Sequence, residues 1–349
     1  MSQKLKVAVL FGGMSGEHDI SILSAKSIIT ALDKTKYDVV PIAIGRNGRW
    51  MSAEESGRLL EAAGPEGDEE PSPDRLLLIS CRHLEILAKV DVVFPALHGP
   101  YGEDGTVQGF LETLGLPYVG ADVPGSAIGM DKAVMKELLS FHGLPVPGYQ
   151  VFRKGDMESD LEVVIDEIEK TIKYPCFVKP ANLGSSVGIS KVRGREDISE
   201  AIAEAMRWDR KILVEEGIDA REIECSILGN ADPKASVPGE VLPSREFYDY
   251  YAKYHDNTTR LIIPAHLSSD TIAEVQRLAV LAFRALNCSG MARVDMFLSR
   301  STGQLYINEI NTIPGFTDVS MYPKLWEASG IGYSELLDKL IELALERRR

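Results

Sequence analysis

Lys6–Phe11 reads as a buried strand, Gly12-Gly13 as a tight turn, Ile20–Leu32 as an amphipathic helix and Tyr37–Ile44 as a second strand. A strand that reaches its neighbour through a helix must return parallel to it. The chain is thereby committed to a doubly wound, parallel-sheet start. Val90–Leu97 predicts another buried strand and Thr106–Leu114 a short helix, and Leu116–Val119 closes this first unit. Glu61–Asp74, rich in Glu, Gly and Pro, reads as a mobile excursion. Asp131–His142 is helical in pattern, and Pro145–Val151 looks like a linker.

From Pro175 the pattern changes to short strands around polar turns: Cys176–Lys179, Gly188–Val192, Lys211–Glu215, Glu222–Leu228 and Val237–Val241. Helices are expected over Ile198–Trp208, Thr271–Leu286 and Tyr333–Glu346. At 349 residues two or three domains have room for ample cores. A net charge of -14 argues against nucleic acid as a main partner. An acidic chain that binds polyphosphate must concentrate its cations locally, so individual Lys and Arg residues carry weight. Cys81, Cys176, Cys225 and Cys288 are scattered with no Cys-x-x-Cys, which excludes a zinc ribbon and suggests reduced, mostly buried thiols in a cytosol. No export signal or membrane-spanning run is visible, so no membrane partner is expected.

The densest chemistry lies late in the chain. Met291–Leu298 and Gln304–Glu309 flank a polar turn, Ser299–Gly303, and read as a hairpin. Alternate strand residues share a face, so Arg293 pairs in direction with Asp295, and Glu309 with Asn311. Asp, Glu and Asn oxygens without His or Cys suit a hard cation such as Mg2+. An adjacent Arg suits a transferring phosphoryl group or an oxyanion. The competing reading is a solvated polar hairpin face.

Other candidates are individually weaker. Phe177–Gly188 is a strand followed by a Gly/Ser turn; Gly184, Ser185 and Ser186 offer donors to phosphate, and Lys179 is the only charge in an apolar run. It is not a Walker loop, and Lys179 also fits a snorkelling core-edge lysine. Glu215, the backbone at Ile218, and Glu222 have the donors and acceptors to read an adenine amino group and ribose hydroxyls, or are solvated strand-end groups. Gly12–His18 opens a helix and suits an anion, yet Glu17 there suits a substrate ammonium or the helix dipole. His98, in Leu97-His98-Gly99, lies at the C-terminal end of a strand, where open α/β sheets place ligand groups; a histidine there is either structural or ligand-facing. Glu246–Tyr254 is dense in tyrosine and reads as a packed segment or as a closing loop, with Lys253 at phosphate and Tyr254 at substrate.

Taken together, the chain resembles the D-alanine–D-alanine ligases of the ATP-grasp superfamily over nearly its whole length. The resemblance rests on Gly-Gly-x-Ser-x-Glu, Leu-His-Gly-x-x-Gly-Glu-Asp-Gly, Met-Asp-Lys, Val-Lys-Pro-x-x-x-Gly-Ser-Ser-Val-Gly, Tyr-Asp-Tyr-x-x-Lys-Tyr and Asn-Glu-x-Asn-Thr-x-Pro-Gly. It implies an α/β ATP-grasp fold in three domains: 1–123, a Rossmann-like substrate-binding domain; 124–220, the central domain; and 221–349, the catalytic and metal-binding domain, with the nucleotide between the last two. It implies ATP-dependent joining of two D-alanines through an acyl phosphate for peptidoglycan precursors, in a cytoplasmic homodimer. The roles it implies follow the motifs. Glu17 holds the first ammonium within a set including Ser185 and Tyr254. Arg293 and the Gly315 amide form the oxyanion site. Asp295, Glu309 and Asn311 hold two Mg2+ or Mn2+, with Glu309 bridging. Lys132, Lys179, Ser186 and Lys253 contact ATP, and Glu215, Ile218 and Glu222 hold its nucleoside. Ser320 and the Met321 amide take the second substrate's carboxylate, with His98 also on the substrate side.

Two departures are visible. The 61–74 stretch varies among such enzymes and has no assigned role, and Glu216-Gly217 stand where some relatives place a bulky residue on adenine. The nearest rival is a ligase making D-alanyl-D-lactate or D-alanyl-D-serine, against which Tyr254 in Tyr-x-x-Lys-Tyr speaks. A non-catalytic nucleotide-binding regulator would not need Arg293, three metal ligands and Glu17 together.

Overall fold

The computed structural model describes residues 4–61, 79–184, 187–242 and 260–347. All of the expected Glu61–Asp74 excursion except Glu61, and the whole tyrosine-rich segment at 246–254 with Lys253 and Tyr254, lie outside them, as do Ser185 and Ser186.

The first unit runs β1 (Leu5–Gly12), α1 (His18–Ala31), β2 (Tyr37–Ile44), α2 (Ala53–Glu61), α3 (Cys81–Leu87), β3 (Val92–Ala96) and α4 (Thr106–Thr113). Its strands are all parallel, in the order β2-β1-β3, as the strand–helix–strand pattern requires. Both faces of β1 are covered. Val7, Val9 and Phe11 share a core with Ala25 and Ile28 of α1, while Ala8 and Leu10 pack with Leu87, Val107 and Leu111 on the other side. Burial on both faces is why β1 is a continuous apolar run rather than an alternating one. The closing stretch at 116–119 adds a single parallel bridge to this sheet, Val93 to Tyr118.

Two capped helices follow. The Asp122 side chain accepts from Gly125 N at the start of α5 (Val123–Met130), and Asp131 accepts from Ala133 and Val134 at the start of α6 (Lys132–Phe141). The central sheet contains β4 (Tyr149–Arg153), then, after α7 (Lys154–Ser159) and α8 (Leu161–Thr171), β5 (Cys176–Pro180), β6 (Ser190–Val192) and, after α9 (Arg195–Trp208), β7 (Lys211–Glu216). It is antiparallel throughout, ordered β4-β7-β5-β6, with α8 and α9 sealing one face. The 145–151 linker is therefore corrected: from Tyr149 the chain is an edge strand. Tyr149 and Val151 pack toward Leu213, and Phe152 packs into the opposite core, a strand alternation that the prolines at 145 and 147 obscured.

The third sheet holds β8 (Ala220–Gly229), β9 (Lys234–Ala235), β10 (Gly239–Leu242), β11 (Arg260–Ile262), β12 (Gly290–Ser299) and β13 (Leu305–Asn311), with α10 (Ser269–Ala285) behind it. The path is β11-β10-β8-β12-β13, with β9 added to β8. α11 (Met321–Ala328) and α12 (Tyr333–Arg347) complete the chain. α12 crosses back: Leu336, Leu337, Leu340, Ile341 and Ala344 lie in the same core as Val7, Val9 and Phe11. Cys176, Cys225 and Cys288 are buried free thiols as expected, whereas Cys81 is exposed.

Candidate active site

β12 and β13 form the expected hairpin, with Arg293 opposite Asn311 and Asp295 opposite Glu309. Val294, Met296 and Leu298 turn into the core behind the sheet, leaving Arg293 and Asp295 on the other face. On β13 a regular strand would put Glu309 and Asn311 on the same side as Leu305 and Ile307, which are core residues. A register shift between Asp295 and Met296, matched by an extra residue at Asn308, prevents this and sends Ile310 inward instead. The bulge thus turns Glu309 and Asn311 toward Arg293 and Asp295.

The Arg293 guanidinium donates to Asp295 through Nε (2.7 Å) and a terminal nitrogen (2.6 Å), and lies 2.9 Å from Glu224 Oε2. Burial works against its charge, but Asp295 and Glu224 outweigh burial and hold the group well above the usual arginine value. Glu224 escaped the sequence reading. It stands two residues after Glu222 on β8, directly opposite Asp295, and that spacing was the available signal. Glu222 is on the same face, opposite Phe297.

Asn311 Oδ1 is buried without a hydrogen-bond partner. Together with Asp295 and Glu309 it makes an all-oxygen donor set, and each carboxylate oxygen keeps a second lone pair when it accepts one bond. This set fits a hard cation. Among the described residues no group of three or more His, Cys, Asp or Glu side chains is placed to hold a metal ion.

A row of lysines faces this sheet from α6 and β5. Lys132 Nζ is 3.4 Å from Glu309 Oε2 and donates to the Leu183 carbonyl at 2.8 Å, fixing the entry to the Gly/Ser turn. Lys179 donates to Glu215 Oε1 at 2.7 Å. Lys136, one helical turn after Lys132, lies 2.7 Å from Glu215 Oε2 and donates to the Asn308 carbonyl at the bulge (3.2 Å). The i, i+4 spacing to Lys132 was its only sequence signal. Burial lowers the Lys136 ammonium below the usual lysine value even beside Glu215. The reading of Glu215 as a nucleoside ligand is corrected in one respect. Its carboxylate is 1% exposed and is spent on two lysines rather than offered to the cleft. Ile218 is half-buried in the turn between β7 and β8.

Glu17, buried at the start of α1, lies beside two glycines from distant segments. A Cβ on Gly99 would stand 3.1 Å from its Oε2, and one on Gly184 3.3 Å. The first loop, the loop after β3 and the Gly/Ser turn therefore converge on this carboxylate. Gly315 is equally constrained: a Cβ there would lie 2.7 Å from Ser320 Oγ. Ser320 precedes α11, so the Met321 amide is in the first turn of a helix. His98 is placed differently from the substrate-side expectation. It is buried, with Nδ1 3.0 Å from the Ile313 carbonyl and Nε2 3.0 Å from Ser24 Oγ, so both ring nitrogens are engaged inside the protein.

Residues 6–121 match the family described as D-ala D-ala ligase N-terminus, and residues 138–342 match D-ala D-ala ligase C-terminus. A D-alanine--D-alanine ligase of Halothermothrix orenii is 51% identical over 345 residues, covering 99% of both chains. One from Caldicellulosiruptor bescii is 52% identical over 351 residues, covering 99% of this chain and 96% of its own. Among solved structures, the D-alanine-D-alanine ligase from Coxiella burnetii superposes with a TM-score of 0.81 at 38% identity, covering 99% of this chain and 95% of that one. The VanG D-Ala:D-Ser ligase from Enterococcus faecalis gives 0.82 at 35%, covering 98% and 100%.

Proposed function

The chain belongs to the D-alanine–D-alanine ligase family, with its ATP-grasp fold, and we propose that it joins two D-alanines to D-alanyl-D-alanine while converting ATP to ADP and phosphate. The observation that carries this reading is the turn of Glu309 and Asn311, by the Asn308 bulge, onto the face of Arg293 and Asp295.

The chemistry needs activation because a carboxylate oxygen is a poor leaving group. The first D-alanine's carboxylate takes the γ-phosphoryl of ATP, giving an acyl phosphate and ADP. The second D-alanine's amine, having lost a proton, attacks the acyl carbon. The tetrahedral intermediate carries an oxyanion and collapses by expelling phosphate, leaving the new amide. Arg293, held rigid by Asp295 and Glu224, stabilises charge on the transferring phosphoryl group and the oxyanion. The Gly315 amide shares the second task. Glu17 binds the first ammonium, Ser320 and the Met321 amide bind the second carboxylate, and Ser185 and Tyr254 complete the hydrogen-bonded set around the reacting amine. Lys132, Lys179, Ser186 and Lys253 orient the phosphates, with Ile218 and Glu222 on the nucleoside and Glu215 behind them, holding Lys179.

Asp295, Glu309 and Asn311 would hold two Mg2+ (or Mn2+), and the partnerless Asn311 oxygen supports that assignment. When bound, such ions neutralise and orient phosphate oxygens. A cytoplasmic homodimer completes the proposal; no helix among the described residues is long and apolar enough to cross a membrane. A second reading, D-serine or D-lactate as acceptor, draws on the likeness to the D-Ala:D-Ser ligase. Phosphate release with ATP, Mg2+ and D-alanine tests the assignment, with product identified by mass. D-Alanyl-D-alanine from D-alanine alone is expected. Release only with D-serine or D-lactate added would shift the acceptor, and none with any of these, L-alanine being the control, would reject ligase activity.

A further inference from the structure

The turn that carries Gly315 is held by side chains at both ends. The Ile313 N–H donates to Glu103 Oε1 (3.3 Å), and the Ile313 carbonyl faces His98 Nδ1 (3.0 Å). The Phe316 N–H donates to Ser24 Oγ (3.2 Å), and Tyr333 donates to the Phe316 carbonyl (2.7 Å). Three of these four groups come from the first unit: Ser24 from α1, and His98 and Glu103 from the loop after β3. The turn itself belongs to the far end of the chain.

Ser24 and His98 also bond each other, and the chemistry fixes the direction. A carbonyl only accepts, so His98 Nδ1 must carry the hydrogen facing Ile313. Burial lowers the imidazole below its usual value and favours the neutral ring, which leaves Nε2 as an acceptor. The Ser24 hydroxyl then donates to Nε2 and accepts from Phe316 N–H. Every polar atom in this chain of contacts is used, and Ser24 and His98 are buried. Ser24 lies seven residues after Glu17, two turns along the same helix face. One rigid element thus reaches both the carboxylate facing the first ammonium and the turn facing the oxyanion.

We infer that Ser24 and His98 are positioning residues, which hold the 313–316 turn from the first unit and so fix the Gly315 amide relative to Glu17. This rests on the ligase reading and on Gly315 as an oxyanion donor. Neither side chain touches substrate. Their effect falls on the transition state, where the oxyanion forms, and not on ground-state binding.

The test is steady-state kinetics of the purified enzyme with ATP, Mg2+ and D-alanine, on Ser24→Ala, His98→Leu, His98→Asn and the Ser24→Ala/His98→Leu double variant. Ser24→Ala and His98→Leu should lower kcat by ~10–100-fold, up to the scale of an oxyanion donor misplaced by about 1 Å, with the KM values for D-alanine and ATP unchanged. His98→Asn keeps an N–H in the place of Nδ1 and should recover most of the loss. The double variant should be little worse than His98→Leu, because both changes release the same turn. The inference is overturned if the KM for D-alanine rises while kcat holds, which would make His98 a substrate ligand. It is equally overturned if kcat is insensitive to Ser24→Ala, or if Asn rescues no better than Leu. Ser24→Ala removes one buried oxygen and keeps the test open should the His98 variants unfold. A wild-type protein that makes no D-alanyl-D-alanine would instead defeat the ligase reading itself.

Discussion

Lys136 and Glu215 form an ion pair of 2.7 Å in which each side chain is 1% exposed. Glu215 spends its other oxygen on Lys179, and Lys136 reaches on to the Asn308 carbonyl. The four groups link the central sheet, α6 and the bulge that aims Glu309. Lys136→Met is nearly isosteric but leaves Glu215 with a single cation. Removing one partner of a buried pair costs ~3–5 kcal/mol. Denaturant unfolding should show a loss of that size; a loss below ~1 kcal/mol, the scale of surface pairs, would mean that water reaches the pair.

The same pair makes stability pH-dependent. Burial raises the Glu215 carboxyl, but Lys136 and Lys179 more than reverse this, taking it from 4.5 to about 2. Because the folded value is depressed, the stabilisation is fully present above the unfolded value and lost as pH falls from about 4.5 toward 2. The total is on the order of 3 kcal/mol. Unfolding free energies of the wild type and Glu215→Gln should therefore converge by ~2 kcal/mol between pH of about 5 and about 3. A constant gap across that range would show that Glu215 does not titrate in this way.

Glu309→Gln should nearly abolish turnover while leaving the fold intact, since it removes a charge from the proposed metal-binding face without changing shape. Calorimetry without turnover separates the cause. The Mg2+-dependent part of nucleotide binding should weaken, and wild-type Mg2+ dependence with normal turnover would remove Glu309 from that role.

Arg293→Lys keeps a positive charge but loses the planar fork that meets Asp295 and Glu224 together. A loss in kcat of ~10²–10³-fold is expected, the scale of one oxyanion donor. A variant with raised KM for ATP and unchanged kcat would make Arg293 a ground-state ligand only.

Much of this was legible in the sequence because it depends on local pattern. The strand–helix–strand start gave the parallel sheet, and the period of two gave the shared face of Arg293 and Asp295. What was not legible depended on three-dimensional register. Nothing local marks Asn308 as an extra residue, yet without it Glu309 would face the core beside Ile307. Lys136 and Glu224 look like ordinary charges until the sheets are brought together. His98 sits at a strand end, where ligand groups gather, and only its two internal bonds show which way it faces.

The return of α12 to the first sheet has a consequence for how the protein is made. Val7, Val9 and Phe11 are synthesised about 325 residues before the first of the side chains that finish covering them, Leu336 to Ala344. At ~5–20 residues per second, the first sheet, complete once Ala96 is made, waits roughly 12 to 48 s with an apolar face only partly covered by α1. During that interval the nascent chain offers a ready surface to holding chaperones. A messenger truncated before residue 336 should yield an aggregating product, even though the first 121 residues carry every strand of that sheet.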